Sequence, residues 1–161
     1  MQAAEIMLMQ GKVAENKEEA RKMLDEVVAS GKAFETFKDM VKAQGGNVDM
    51  IENPELLPQS KFKTEIKSEE SGNVKVLHSE RLGVLAMQLG AGRETKEQDV
   101  NHAVGLELAC KRGDKVNKGD TICIVYHDEE LKPQWVDELY HAFELTNEEV
   151  APQPIIEKVL S

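Results

Sequence analysis

The chain is short of cysteine, aromatic residues, basic excess and long apolar runs, and each shortage closes off a class of function. Two cysteines in 161 residues cannot build a disulfide framework, and with no charged-then-apolar leader in view the expectation is reduced thiols. Apolar runs extend over only a handful of residues, so no segment is expected to span a bilayer. A formal net charge of −10 repels a phosphate backbone over most of a surface, which argues against nucleic acid as a partner. A small phosphate site, which needs only a few local donors, stays open on this ground. The 40% hydrophobic content is enough for a folded core, and the expectation is a soluble, cytoplasmic protein.

What the chain does have is a regular segment at residues 103–128, AVGLELACKRGDKVNKGDTICIVYHD. Two strand-like runs, 104–110 and 121–127, flank a pair of Gly-Asp dipeptides, Gly113-Asp114 and Gly119-Asp120, with Val116 between them. Glycine permits the backbone to reverse at both places while one apolar side chain stays inward. The segment predicts a hairpin-like element of a small β-barrel or sandwich.

The first part of the chain predicts helices. Residues 1–10 are rich in Ala, Met, Ile and Leu and have no N-cap before them, as expected of a core helix cut from a longer piece. Asn16 and Glu19 form a capping box. Ala20, Met23, Leu24, Val27 and Val28 then make one apolar stripe that Gly31 terminates. Phe34, Phe37, Met40 and Val41 repeat the pattern before Gly45-Gly46, so the two segments predict an αα-hairpin with facing stripes. Such stripes can form a groove for a partner helix, but the more economical expectation is core. Asn53-Pro54 predicts a short helical turn closed at Leu56-Leu57-Pro58.

From Phe62 the period becomes two: Phe62, Thr64 and Ile66 alternate with lysine and glutamate. A polar turn at 69–73 and a returning strand at 74–77 predict a hairpin. Ser79 is expected to cap a helix bearing Leu82, Leu85, Ala86 and Leu89, which Gly90-Ala91-Gly92 stops. A last helix is expected over 133–144, with Trp135, Leu139 and Phe143 on one side, followed by an extended tail through Pro152 and Pro154.

No residue emerges as catalytic, cofactor-binding or metal-binding. Cys110, Cys123, His102 and His127 fall within one region and are zinc-ligand types. They lack C-x2-C or H-x3-H spacing, however, and both cysteines sit in apolar runs where a free thiol is a small core residue. Gly90-Ala91-Gly92-Arg93 has the composition of an anion loop, but phosphate loops precede a helix and offer its amides, whereas this one follows a helix and faces its carbonyls. The expectation is a structural cap, with Arg93 satisfying carbonyls or acidic neighbours. His78, His102, His127 and His141 accompany no nucleophile motif, and the acidic pairs 69–70, 129–130 and 148–149 are expected to be solvated turns.

LGAGR at 89–93, AVGLELACKRGDKVNKGD at 103–120 and GKAFETFKDMVKAQGG at 31–46 occur in an order that resembles the C-terminal portion of the pyrimidine-nucleoside and thymidine phosphorylases, over almost the whole chain. The resemblance implies a homodimeric parent enzyme with a helical domain and a large α/β domain joined by a hinge. Inorganic phosphate and nucleoside would bind in the cleft between those domains, and phosphate would displace the base at C1′. It also implies that the phosphate loop and the base-binding Arg, Ser and Lys lie before this segment, so no catalytic position carries over and phosphate is a co-substrate of the parent only. Residues 1–58 would be helices of the large domain and 62–161 its β-rich C-terminal subdomain, with the missing N-terminal part as partner. The piece alone is expected to be monomeric or weakly associated. The fold class expected is α+β: an N-terminal helical hairpin, then a small barrel-sandwich-like β-subdomain with two more helices. The paired Gly-Asp turns are also similar to biotinyl and lipoyl carrier domains, which makes a carrier or interaction module the rival reading. The tripeptide that carries a modified lysine is absent.

Overall fold

The structure, a computed structural model, describes residues 1–156 and Lys158. The chain divides into two compact units, Met1–Leu56 and Leu57–Ser161. Its fold class is α+β, helices first and small antiparallel sheets after them. The positions expected to end the β-rich part, 157 and 159–161, lie outside the described residues.

The first unit holds α1 (Gln2–Gln10), α2 (Lys17–Ala29), α3 (Lys32–Ala43), α4 (Asp49–Glu52) and a 3-10 turn at Pro54–Leu56. Asn16 caps α2 by accepting the Glu19 amide at 2.9 Å, an interaction of about 1 kcal/mol. Glu19 reaches back one residue further than a capping box requires, to the Glu15 amide at 2.8 Å. Gly31, at φ 78°, makes the break between α2 and α3. One expectation fails in this unit. The apolar stripes do not close into a core: Ala20 is buried, but Val27, Val28, Phe34, Phe37 and Met40 are exposed, and α3 buries no residue at all. Three short helices supply too little surface to cover both stripes.

In the second unit β1 (Phe62–Lys67), β2 (Gly72–Leu77), α5 (Ser79–Ala86), β3 (Gly105–Leu108), β4 (Lys115–Val116), β5 (Thr121–His127), α6 (Pro133–His141) and β6 (Phe143–Thr146) follow in order. They build two three-stranded sheets, β1-β5-β3 and β4-β2-β6, with every pair antiparallel. The expected β1–β2 hairpin is therefore corrected, because the two strands belong to different sheets. The link between them is held by other groups: Ser68 exchanges backbone hydrogen bonds with Gly119 and Asp120, and Ser71 Oγ accepts the Lys118 amide at 2.8 Å. Strands β3 and β5 do pair as the two flanking runs predict, with Leu108 opposite Cys123. Ile66, Val74, Val125 and Leu139 meet in one buried cluster, so both sheets and α6 share a core.

The Gly-Asp repeat becomes two copies of one turn. Asp114 accepts the Lys111 amide on its carboxylate at 2.8 Å and donates its own amide to the Lys111 carbonyl at 3.0 Å. Asp120 treats Asn117 in the same way at 2.8 and 3.0 Å. Gly113 and Gly119 take φ of 94° and 91°, a region nearly closed to side chains with a Cβ. Val116, between the turns, is buried as expected.

Two helix boundaries also depart from expectation. Ser79 is the first residue of α5 and makes no side-chain cap; His78 holds the cap position. The last helix stops at His141, and Phe143 lies opposite Leu77 in β6 instead of on the helix. The free edge of β2 offers these residues ladder hydrogen bonds, and the His78 amide reaches the Ala142 carbonyl at 2.9 Å, so pairing outweighs another half turn of helix.

Candidate functional site

Of the four histidines, His127 is the buried one, at the end of β5. Its Nδ1 lies 2.6 Å from the Glu129 carbonyl, which can only accept, so Nδ1 carries a proton. Its Nε2 lies 2.8 Å from Thr64 Oγ1 and in the neutral ring accepts that hydroxyl. Phe62 stacks on the ring at 5.5 Å. Both ring nitrogens of His127 thus have partners within the fold. His78 pairs with Glu144 at 2.7 Å, His141 Nδ1 lies 2.7 Å from the Asp137 carbonyl one turn back, and His102 is exposed.

The cysteines are core residues. Cys110 and Cys123 are both buried, with Sγ 3.8 and 3.7 Å from the Ile122 and Ile124 carbonyls. Burial pushes the Cys123 thiol up to about 12 and raises that of Cys110 as well, which disfavours the thiolate that zinc needs. Among the described residues no group of three or more His, Cys, Asp or Glu side chains is placed to hold a metal ion.

The Gly90-Ala91-Gly92 segment ends its helix through an irregularity that residue patterns did not disclose. A π-helical turn, Met87–Ala91, continues α5, and Gly90 leaves it at φ 107°. The Gly90 carbonyl accepts the Asn101 amide at 2.9 Å. Asn101 in turn donates its side-chain amide to Asp128 Oδ2 at 2.7 Å, while the Lys61 amide donates to Oδ1 at 2.8 Å. These two donors, the Lys61 amide first, hold the Asp128 carboxyl below its ordinary pKa. The segment is thus a helix stop, tied down through Asn101 rather than through Arg93. Arg93 is exposed and among the described residues has no hydrogen-bond or ion-pair partner, contrary to the partner expected for it.

A cleft of about 760 Å³ in this unit runs beside α5 and α6 and is lined by Arg81, Val84, Gln88, Lys132, Trp135 and Glu138 among others. Within it Arg81 donates to Glu138 at 2.7 Å and Lys132 Nζ sits 4.5 Å over the Trp135 ring, while Glu80 and Glu94 also face the cleft. It brings together no nucleophile and base, so acyl or phosphoryl chemistry has no evident starting point there. Among the described residues no helix is long and apolar enough to cross a membrane.

These features define an α+β domain in which paired Gly-Asp turns tie two small sheets together. Residues 73–146 match the family described as the pyrimidine nucleoside phosphorylase C-terminal domain. The chain is 38% identical over 149 residues to pyrimidine-nucleoside phosphorylase of Bacillus subtilis (strain 168), an alignment covering 92% of this chain and 34% of that one. It is 39% identical over 155 residues to pyrimidine-nucleoside phosphorylase of Staphylococcus aureus (strain USA300), covering 96% of this chain and 36% of the relative. The chain is thus a relative of the pyrimidine-nucleoside phosphorylases, matching their C-terminal portion, and it spans about a third of the length of the curated relatives it matches.

Proposed function

We propose that this chain acts as the C-terminal, non-catalytic portion of a pyrimidine-nucleoside phosphorylase. The whole enzyme would cleave uridine- or thymidine-type nucleosides with inorganic phosphate, giving free base and pentose 1-phosphate. The carrying observation is the match of 92–96% of this chain to only 34–36% of two phosphorylases. The occupied state of the polar groups supports it: His127, Asp128 and Arg81 all have protein partners, and the cysteines are buried. Phosphorolysis needs cationic and hydroxyl donors on phosphate and donors on the pyrimidine carbonyls, groups that on this reading come from the rest of the polypeptide.

On the same reading residues 1–58 are helices of the large domain, and 62–161 stiffen it so that hinge closure moves one rigid body against another. The assembled enzyme would be a cytoplasmic homodimer of the transferase class, serving pyrimidine salvage. A phosphorolysis assay that follows base release by ultraviolet absorbance tests the proposal. The purified chain is expected to show no phosphate-dependent turnover of uridine or thymidine, and sustained turnover would overturn it. Intact mass tests it against the carrier reading: an unmodified chain is expected, and an added biotinyl or lipoyl group would favour the carrier.

A further inference from the structure

We propose that the second unit carries a site for a small organic phosphate, a phosphate monoester with an apolar body, in the cleft between β2, the first Gly-Asp turn and the start of α5. The cleft has a volume of about 480 Å³ and is lined by Lys75, Leu77, Ser79, Lys111, Arg112 and Pro152 among others, a size ordinary for small-molecule sites. Its lining carries three cations and one carboxylate, Asp114, and that carboxylate already accepts the Lys111 amide at 2.8 Å. The cleft beside α5 and α6 has the opposite balance, with Glu80, Glu94 and Glu138 against Arg81 and Lys132. In a chain of formal charge −10, a local excess of positive charge gathered in a concavity attracts anions where the rest of the surface repels them.

The backbone holds the three cations together. Val74 accepts the Gly113 amide and donates to the Asp114 carbonyl, both at 2.9 Å, which brings Lys111 and Arg112, just before the turn, alongside Lys75. Strand alternation turns Lys75 outward while its neighbour Val74 is buried. Among the described residues none of these three side chains has a hydrogen-bond or ion-pair partner, whereas Arg21, Lys38 and Arg81 are all paired with glutamates. Three unpaired cations fixed around one cleft repel one another, and a dianion between them relieves that repulsion.

Two features set the chemistry of the ligand. The planar fork of Arg112 matches two oxygens of a phosphate, and Lys75 and Lys111 add point charges beside it. Leu77 and Pro152 line the same cleft and offer apolar surface to the rest of the ligand, so an organic ester fits it better than the bare ion. A nucleic acid is the poorer fit, because the remaining surface of a −10 chain repels a run of phosphates. All the lining residues belong to the second unit, so the site is complete within this chain and does not rest on the reading above.

The test titrates the full 161-residue chain with phenyl phosphate, inorganic phosphate and benzyl alcohol at about 150 mM salt, following backbone amides by NMR. Phenyl phosphate is expected to shift the amides of Lys75, Ser79 and residues 111–114 to saturation and to bind roughly tenfold or more tightly than inorganic phosphate, while benzyl alcohol shifts none of them. Lys75→Ala/Arg112→Ala is expected to weaken that binding by roughly 100-fold or more, through the loss of two charge-assisted hydrogen bonds. Both side chains are exposed, so the variant is expected to keep the circular dichroism and Trp135 fluorescence of wild type. Lys32→Ala/Lys42→Ala removes the same charge from exposed positions of α3 and is expected to leave binding unchanged. Absence of saturable shifts, shifts confined to other residues, or equal weakening by the two double variants would overturn the site. Equal affinities for phenyl phosphate and inorganic phosphate would mark an adventitious ion only and overturn it as well. A phosphotyrosine peptide binding roughly tenfold or more tightly than phenyl phosphate would make a phosphorylated polypeptide the ligand and overturn the small-molecule assignment. None of these outcomes touches the family reading.

Discussion

Ser68, at the end of β1, and Val74, in β2, make the same two backbone hydrogen bonds to two copies of one turn. Ser68 accepts from the Gly119 amide and donates to the Asp120 carbonyl, both at 2.8 Å; Val74 accepts from Gly113 and donates to Asp114, both at 2.9 Å. Because β1 and β2 lie in different sheets, the six-residue repeat is a clamp that holds each sheet by an equivalent point, with Val116 buried between the two grips.

The carboxylates of Asp114 and Asp120 brace those grips from the inside of each turn. Asp114→Ala and Asp120→Ala are each expected to lower unfolding stability by about 1 kcal/mol, the usual net value of a hydrogen bond. The Asn variants should keep much of it, since the side-chain carbonyl can still accept the amide. Urea denaturation followed by Trp135 fluorescence measures this. A loss equally large for Asn and Ala at both positions would place the effect in charge, not in the turn bond.

Gly113 and Gly119 share a backbone conformation but not surroundings, which separates two costs. A Cβ at Gly119 meets nothing within 4 Å, whereas one at Gly113 would lie 2.9 Å from the backbone N and Cα of Pro152. Gly119→Ala is therefore expected to cost only the left-handed penalty, about 1–2 kcal/mol. Gly113→Ala should cost more and displace the tail around Pro152, visible as increased proteolysis or amide exchange there. Equal stability losses for the two variants would show that the tail does not bear on this turn in solution.

The features readable from residues are those whose hydrogen bonds close within a few positions. The Gly-Asp turns, the Asn16 cap and the Gly31 break are satisfied locally, so residue type and spacing suffice to place them. The β1–β2 assignment fails because partner choice is non-local: Ser68 and Val74 find their partners about forty to fifty residues away in the two turns. Phe143 fails for a related reason, as its helical spacing is overridden by the edge of β2. Periodicity identifies the stripes on α2 and α3 as apolar faces but cannot say whether the covering surface lies in the same 161 residues. For the candidate site, the lack of a motif is legible, while the engagement of His127 by Thr64 and Glu129 depends on contacts that only the fold creates.

Cys123 provides a probe of global opening. Its thiol is fully buried in the shared core and pushed up to about 12, mainly by burial, so both access and ionisation oppose reaction at pH 8. Labelling by a disulfide reagent is expected to be slow in the native chain and fast in denaturant, with Cys110 following the same course. The Asp114→Ala and Asp120→Ala variants should raise the native labelling rate in proportion to their loss of stability. Rapid labelling of both thiols in folded protein would contradict the core placement.

Asp128 sets the acid limb. Its pKa is lowered by the Lys61 amide and then by the Asn101 side chain, so the folded state prefers the carboxylate more than the unfolded chain does. The resulting stabilisation is complete above the unfolded carboxylate value, about pH 4, and is lost as pH falls through the lower folded value. Asp128→Asn cannot titrate there, so below about pH 4 the wild-type stability curve should descend more steeply than that of the variant and the two should converge. Above that range the wild type should be the more stable, because only the carboxylate offers Asn101 a charged acceptor. Denaturation midpoints of both proteins across the acid range decide it: curves that stay parallel throughout would mean that Lys61 and Asn101 do not hold this carboxylate in solution, and the anchoring of the 90–101 loop through Asp128 would have to be abandoned.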